Sequence, residues 1–89
     1  MIQREVEIIN KLGLHARAAA KFVTLASGFE SEVQVELNGN QVNGKSIMGV
    51  MMLAAAQGTQ LVIMVEGPDE HEAMDKLCEL IANRFDEES

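Results

Sequence analysis

The chain has no tryptophan and no tyrosine, and only three phenylalanines, one proline and one cysteine among its 89 residues. Without indole or phenol rings the interior has to be filled by aliphatic side chains and by methionine, of which there are six. The single cysteine, Cys78, excludes an internal disulfide, and its place in a helical pattern predicts a buried small apolar side chain. Basic residues are scarce, with seven Lys and Arg against fourteen Asp and Glu and a formal net charge of −7. A nucleic-acid partner is therefore not expected, because binding a phosphate backbone needs clustered Lys and Arg. No apolar run approaches the roughly 20 residues that cross a bilayer. The N-terminus lacks a charged-then-apolar leader, so membrane insertion is not expected and a reducing cytoplasm is the expected setting.

What remains is an ordinary globular composition, 47% hydrophobic, and a length that supports one domain, residues 1–89. Ile2 to Ile9 alternates as a half-buried strand, with Gln3, Glu5 and Glu7 on the wet side. Ala16 to Ser27 has the helical period, with Ala19, Phe22, Val23 and Ala26 facing inward and Gly28 stopping it. From Glu32 the period is two again. Asn38-Gly39 predicts a hairpin leading into a short polar edge strand, about Gln41 to Asn43. Ser46 to Ala56 reads as a brief helix, and Leu61 to Val65, apolar on both faces, as the most interior strand. Asp69, with Glu72 three residues on, reads as an N-cap with its capping-box partner. The last helix presents Ala73, Met74, Leu77, Cys78 and Ile81 as one stripe, and the acidic tail Asp86 to Ser89 is expected to fray. The predicted fold is α+β, an open-faced sandwich of order βαββαβα: a four-stranded antiparallel sheet with three helices on one face.

The chemistry concentrates at Gly13-Leu14-His15-Ala16-Arg17. His15 falls at the N-cap of the first helix, where free backbone N–H groups and the helix dipole suit an anion, and Arg17 adds a planar fork of donors. Two readings stand on spacing alone: His15 merely caps the helix, or it is a nucleophile that takes up a phosphoryl group beside the amides of Ala16 and Arg17. The second helix carries more apolar residues than one stripe can bury. With Val50 and Leu53 facing the sheet, Ile47, Met48 and Met51 fall outside, either as a broad core stripe or as an adaptable docking patch. Ala16 and Ala20 keep the flank of the first helix small beside it. Ser46 is a preferred N-cap residue. His71, between Glu70 and Glu72, reads as a surface residue. His15, His71 and Cys78 show no metal-ligand spacing, so no metal and no cofactor is expected.

The run Asn10-Lys11-Leu12-Gly13-Leu14-His15-Ala16-Arg17-Ala18-Ala19-Ala20-Lys21-Phe22-Val23 closely resembles the active-site segment of the HPr family, the histidine-containing phosphocarriers of the bacterial sugar phosphotransferase system. Gly44-Lys45-Ser46-Ile47-Met48 resembles that family's regulatory serine region, and the likeness runs nearly end to end without gaps. One departure is Ala18, where the family usually has proline. The resemblance implies a phosphoryl carrier rather than a stand-alone enzyme, accepting phosphate on His15 from enzyme I and passing it to sugar-specific IIA proteins. Arg17 would stabilise the phosphate, Ser46 would be open to a serine kinase and phosphorylase, and the Met-rich patch would dock both partners. A monomer is the default expectation. Two other readings are a regulatory paralogue that acts mainly by docking, in a nitrogen-related branch or as a protein-binding regulator, and a small enzyme with His15 as general base. Against the last, no second catalytic group stands at a suitable spacing.

Overall fold

Ile2–Glu7 forms β1, two residues shorter than its alternation predicts. The computed structural model describes residues 1–89. After β1 come α1 (Ala16–Ser27), β2 (Glu32–Leu37), β3 (Asn40–Asn43), α2 (Ile47–Met52), β4 (Gln60–Glu66) and α3 (Glu70–Ala82), followed by a terminal turn at Arg84–Asp86. The sheet is antiparallel throughout, in the order β1-β4-β2-β3. β3 is the polar edge that the sequence predicts, and β4 lies between β1 and β2. The β2–β3 hairpin turns on Asn38 and Gly39, both at positive φ (52° and 85°). That is the conformation whose twist matches the flanking strands, and few other residue pairs tolerate it.

The helices cover one face, where Val33, Val35, Leu61, Ile63 and Val65 of the sheet meet Phe22, Val23, Val50, Met74, Leu77 and Ile81 in a single core. The other face carries the polar residues of the period-two pattern. There Val62 lies opposite Glu5 and Glu36, and Met64 opposite Gln3 and Gln34, so the outer apolar row of β4 is half-buried under its long polar neighbours. Cys78, expected to be buried with the stripe of α3, sits half-exposed at its margin.

Two local readings need correction. The apolar run after Ser46 does not continue as helix to Ala56; it stops at Met52, and Ala54 turns left-handed at φ 52°. This turn lets the Ala55 carbonyl accept the Leu14 N–H at 2.8 Å. Asp69 stands at the N-cap of α3 but makes no side-chain cap bond. Its carboxylate instead accepts the backbone N–H groups of Glu30 and Ser31, each at 3.0 Å, and the Ser31 hydroxyl. Glu70, rather than Glu72, reaches back, accepting the Gly67 N–H at 3.1 Å.

The staple from Asp69 to the α1–β2 loop has a pH signature. The Ser31 hydroxyl first, then the Glu30 amide, hold the Asp69 carboxyl below its ordinary value of 3.8, against a smaller opposing effect of burial. A carboxyl depressed on folding stabilises above its unfolded value and loses that contribution as pH falls through the folded one. Asp69→Asn is therefore expected to lower stability near neutral pH and to flatten the acid limb below pH 3.8. Urea titrations of both proteins at a series of pH values check this; parallel acid limbs would remove Asp69 from the account.

Candidate functional site

His15 ends the loop that leaves β1, and that loop is built to hold it. Gly13 has φ +67°, and a Cβ there would stand 2.5 Å from the Ala55 carbonyl oxygen, so only glycine allows the two loops to approach. Leu14 is buried and anchors the chain one residue before the imidazole. His15 itself is extended (φ −71°, ψ 177°) at the N-cap of α1, and its side chain makes no capping bond. Its carbonyl accepts the Ala19 N–H at 2.9 Å, the first bond of the helix. The backbone N–H groups of Ala16 and Arg17 have no acceptor within the protein. Ala16 and Arg17 are exposed and His15 is half-buried. The Arg17 guanidinium has no ion pair and no hydrogen bond.

Ala18, where the resemblance leads one to expect proline, is fully buried in the first turn of α1. Its amide has no helical acceptor, so proline in its place would break no bond of the helix; alanine keeps a free N–H there and leaves the unfolded chain more freedom.

The acidic tail does not fray as its composition predicts; it is fastened to the body of the domain. Arg84, Phe85 and Asp86 all adopt positive φ (57°, 54° and 64°), which sends the chain back across the end of α1. Phe85 is fully buried. Lys21 of α1 fastens this turn, donating to the Phe85 carbonyl at 2.9 Å with Asp86 at 3.8 Å. The Lys11 N–H donates to the carbonyl of Ser89 at 2.8 Å. Between these anchors the Glu87 carboxylate bonds Nε2 of His15 and accepts from Nδ2 of Asn10 at 3.0 Å. Asn10 is fully buried, and its Nδ2 also donates to the Gly13 carbonyl at 2.9 Å. A shallow open depression results, lined by Leu12, His15, Ala16, Arg17, Glu87 and Ser89. Of these, Glu87 was invisible to sequence reasoning; the isolated Phe85 four residues beyond Ile81 was the one available signal that the apolar stripe continues into the tail.

The remaining site residues distribute as follows. Ser46 caps α2, its Oγ accepting the Gly49 N–H at 3.1 Å, and is half-buried. Ile47, Met48 and Met51 are exposed by 43%, 74% and 40%, and the reading of the sequence omitted Met52 (78%) and Leu12 (67%). α2 packs beside α1, where Ala16 is exposed and Ala20 half-buried, so the apolar patch adjoins the helix that carries His15. His71 is exposed in the first turn of α3, 4.0 Å from Glu70. No three His, Cys, Asp or Glu side chains gather as a metal site, and no helix is long and apolar enough to cross a membrane.

Comparison with known proteins agrees with this geometry. The family model described as the PTS HPr component phosphorylation site matches residues 2–83. The phosphocarrier protein HPr of Cupriavidus necator is 61% identical over 87 residues, covering 98% of each chain. Among solved structures, the crystal structure of HPr-C-His from Thermoanaerobacter tengcongensis superposes with a TM-score of 0.96 at 48% identity, covering all of both chains. An HPr dimer from the same organism superposes at 0.79 and 48% identity, covering 98% of this chain and all of that one. Sequence and architecture thus agree along the whole length, and the chain belongs to the HPr family, the phosphocarriers of the phosphotransferase system.

Proposed function

We propose that His15 is the phosphoryl-accepting residue, taking the group from enzyme I and passing it to sugar-specific IIA proteins in the cytoplasm. The observation that carries this reading is the placement of a half-exposed imidazole at the N-cap of α1, with two unpartnered amides and an unpaired guanidinium beside it. A tetrahedral dianion attached to the ring meets donors already in place, so no metal or cofactor is required to hold its charge. Phosphoryl transfer depends chiefly on positioning and charge stabilisation, and a carrier with an open depression leaves the partner to complete the site.

The test is the intact mass after incubation with phosphoenolpyruvate and enzyme I. One acid-labile phosphoryl group is expected, and His15→Ala should abolish it. No gain, with enzyme I active on another carrier, would favour a regulatory protein that acts by docking alone. Size exclusion of the same sample tests the monomer that this reading assumes.

Docking in this reading uses Ala16 and Ala20 of α1 with Ile47, Met48 and Met51 of α2, a flexible apolar surface that fits more than one partner. Ser46 stands at its edge as a site for a serine kinase and phosphorylase. A phosphate there adds roughly −1.5 to −2 charge units and must be desolvated when the patch is covered. Ser46→Asp is accordingly expected to raise the apparent KM for enzyme I about tenfold, a penalty of about 1.4 kcal/mol, with the fold intact by circular dichroism. An unchanged KM would end the regulatory reading.

A further inference from the structure

We infer that Glu87 is a positioning residue: held by Asn10, its carboxylate keeps the proton of His15 on Nε2 and leaves Nδ1 as the nucleophile. This inference rests on His15 being the phosphoryl acceptor. Nothing in the sequence pattern marks Glu87, which lies 72 residues from its partner in a tail without regular structure.

The directions of three hydrogen bonds carry the assignment. Asn10 Nδ2 donates to the Gly13 carbonyl and to one oxygen of Glu87. Turning that amide over would set its oxygen against a carbonyl and a carboxylate, so the buried Asn10 has one orientation, although its Oδ1 is left without a partner. The Glu87 oxygen facing Asn10 is therefore an acceptor. The second oxygen meets Nε2 of His15, while Nδ1 makes no hydrogen bond. Burial pushes the Glu87 carboxyl up, but the Asn10 amide, the His15 bond and the nearby charges of His15 and Lys21 together hold it below its ordinary value of 4.5. At neutral pH both oxygens only accept. Nε2 must then be the donor, and in the neutral ring, the form that attacks phosphorus, the lone pair is on Nδ1. The tail is placed for this by Phe85 in the core, by Lys21 and by the Lys11 amide, not by the bond to His15 itself.

The step balances without further groups. The Nδ1 lone pair forms the N–P bond, the bond from phosphorus to the donor breaks with its electron pair leaving on the donor, and the ring becomes a phosphorylated imidazolium that keeps its Nε2 proton. Glu87 lies against that positive charge. On transfer onward the N–P electrons return to Nδ1, and the ring leaves as neutral imidazole with Nε2–H still in place. A carboxylate at this position thus serves both directions of a carrier.

The assignment makes an inverted prediction for the conservative variant. In Glu87→Gln the fixed Asn10 donor selects the new carbonyl oxygen and turns the new NH2 toward His15, so Nε2 becomes the acceptor and the proton moves to Nδ1. In Glu87→Ala the ring is left to water and keeps both tautomers. Single-turnover phosphoryl uptake from phosphorylated enzyme I is expected to fall at least about a hundredfold in the Gln variant, the direction that a carboxylate-to-amide change at a histidine's partner produces by imposing the wrong tautomer. The Ala variant should lose only about tenfold. Nitrogen-15 chemical shifts of the neutral His15 ring, measured at alkaline pH, should show protonated Nε2 in the wild type and protonated Nδ1 in Glu87→Gln.

A role confined to anchoring the tail predicts the opposite order, with Gln better than Ala, and that result would overturn the inference. Faster uptake by Glu87→Ala than by wild type would also overturn it, since the carboxylate would then be a block. Were the wild type to take up no phosphoryl group on His15, the reading of function would fail on its own, and the nitrogen shifts of the unphosphorylated chain would still decide which ring atom Glu87 controls.

Discussion

Phe85→Ala is expected to cost about 3–5 kcal/mol of unfolding free energy, a large share of the roughly 5–15 kcal/mol that a domain of this kind possesses. The ring is completely buried, and it lines a tight apolar cluster with Ile8, Leu14, Phe22, Val35, Val50, Leu61 and Ile81. In a core without tryptophan or tyrosine, losing one of three phenylalanines removes a larger fraction of the bulky packing than it would elsewhere. A second effect compounds the cavity. Arg84, Phe85 and Asp86 are non-glycine residues at positive φ, a conformation costing about 1–2 kcal/mol per residue that persists only while burial of the ring and the two Lys21 contacts hold it. Truncation lets the turn relax, and Glu87 leaves His15 with it. Urea and thermal melts of the two proteins read the first effect, with the melting temperature expected to drop by roughly 15 °C or more. Phe85→Leu, which keeps most of the volume, should recover more than half the loss. A loss below about 1 kcal/mol would mean that the tail rests on the core without contributing to it.

That result bears on how much a sequence can show. The strands, the three helices, the polar edge at β3 and the central place of β4 follow from periodicity, because burial against one core imposes a period of two on strands and a longer one on helices. His15 and Arg17 were visible for a local reason also: both belong to one loop and one helix turn, and the chemistry of a helix N-terminus depends on neighbours in sequence. Glu87 and Asp69 belong to the other kind. Each carboxylate finds its partners across the fold, Glu87 on Asn10 and His15 and Asp69 on Glu30 and Ser31, and from sequence each looked like something ordinary, a frayed acidic tail and a helix cap. The tail in particular runs through three left-handed residues with no glycine or asparagine among them, and Asp86 alone is of a type that favours that conformation, so the signals that mark such turns are weak. Asn10 enters the sequence reading only as the first residue of the run around His15, although buried in the fold it fixes both the loop and the carboxylate.

Arg17→Ala is expected to slow phosphoryl uptake by His15 about 10²–10³-fold at saturating enzyme I, the range found when one preorganised donor is taken from developing negative charge. The structure separates this role from folding. The Arg17 side chain is exposed, pairs with no carboxylate and leaves its helix intact when shortened, so the change in stability should stay within about 0.5 kcal/mol. It also separates Arg17 from Glu87. In the proposed mechanism the carboxylate prepares the ring before phosphate arrives, whereas the guanidinium has nothing to bind until the phosphoryl oxygens are present, and an unpaired cation is free to take them without first breaking another bond. Arg17→Lys is the informative companion, because it retains the charge on a flexible stem but loses the planar fork. If the point charge alone mattered, lysine would restore the rate; if two oxygens are held at once, it should remain at least tenfold slow, a deficit of about 1.4 kcal/mol. Rates measured by rapid quench at saturating donor exclude a docking effect, which would appear in KM through the neighbouring Ala16 and Met48 surface. An unchanged rate in Arg17→Ala would remove the guanidinium from the mechanism and leave the free backbone amides at the start of α1 as the protein's donors to the phosphoryl group.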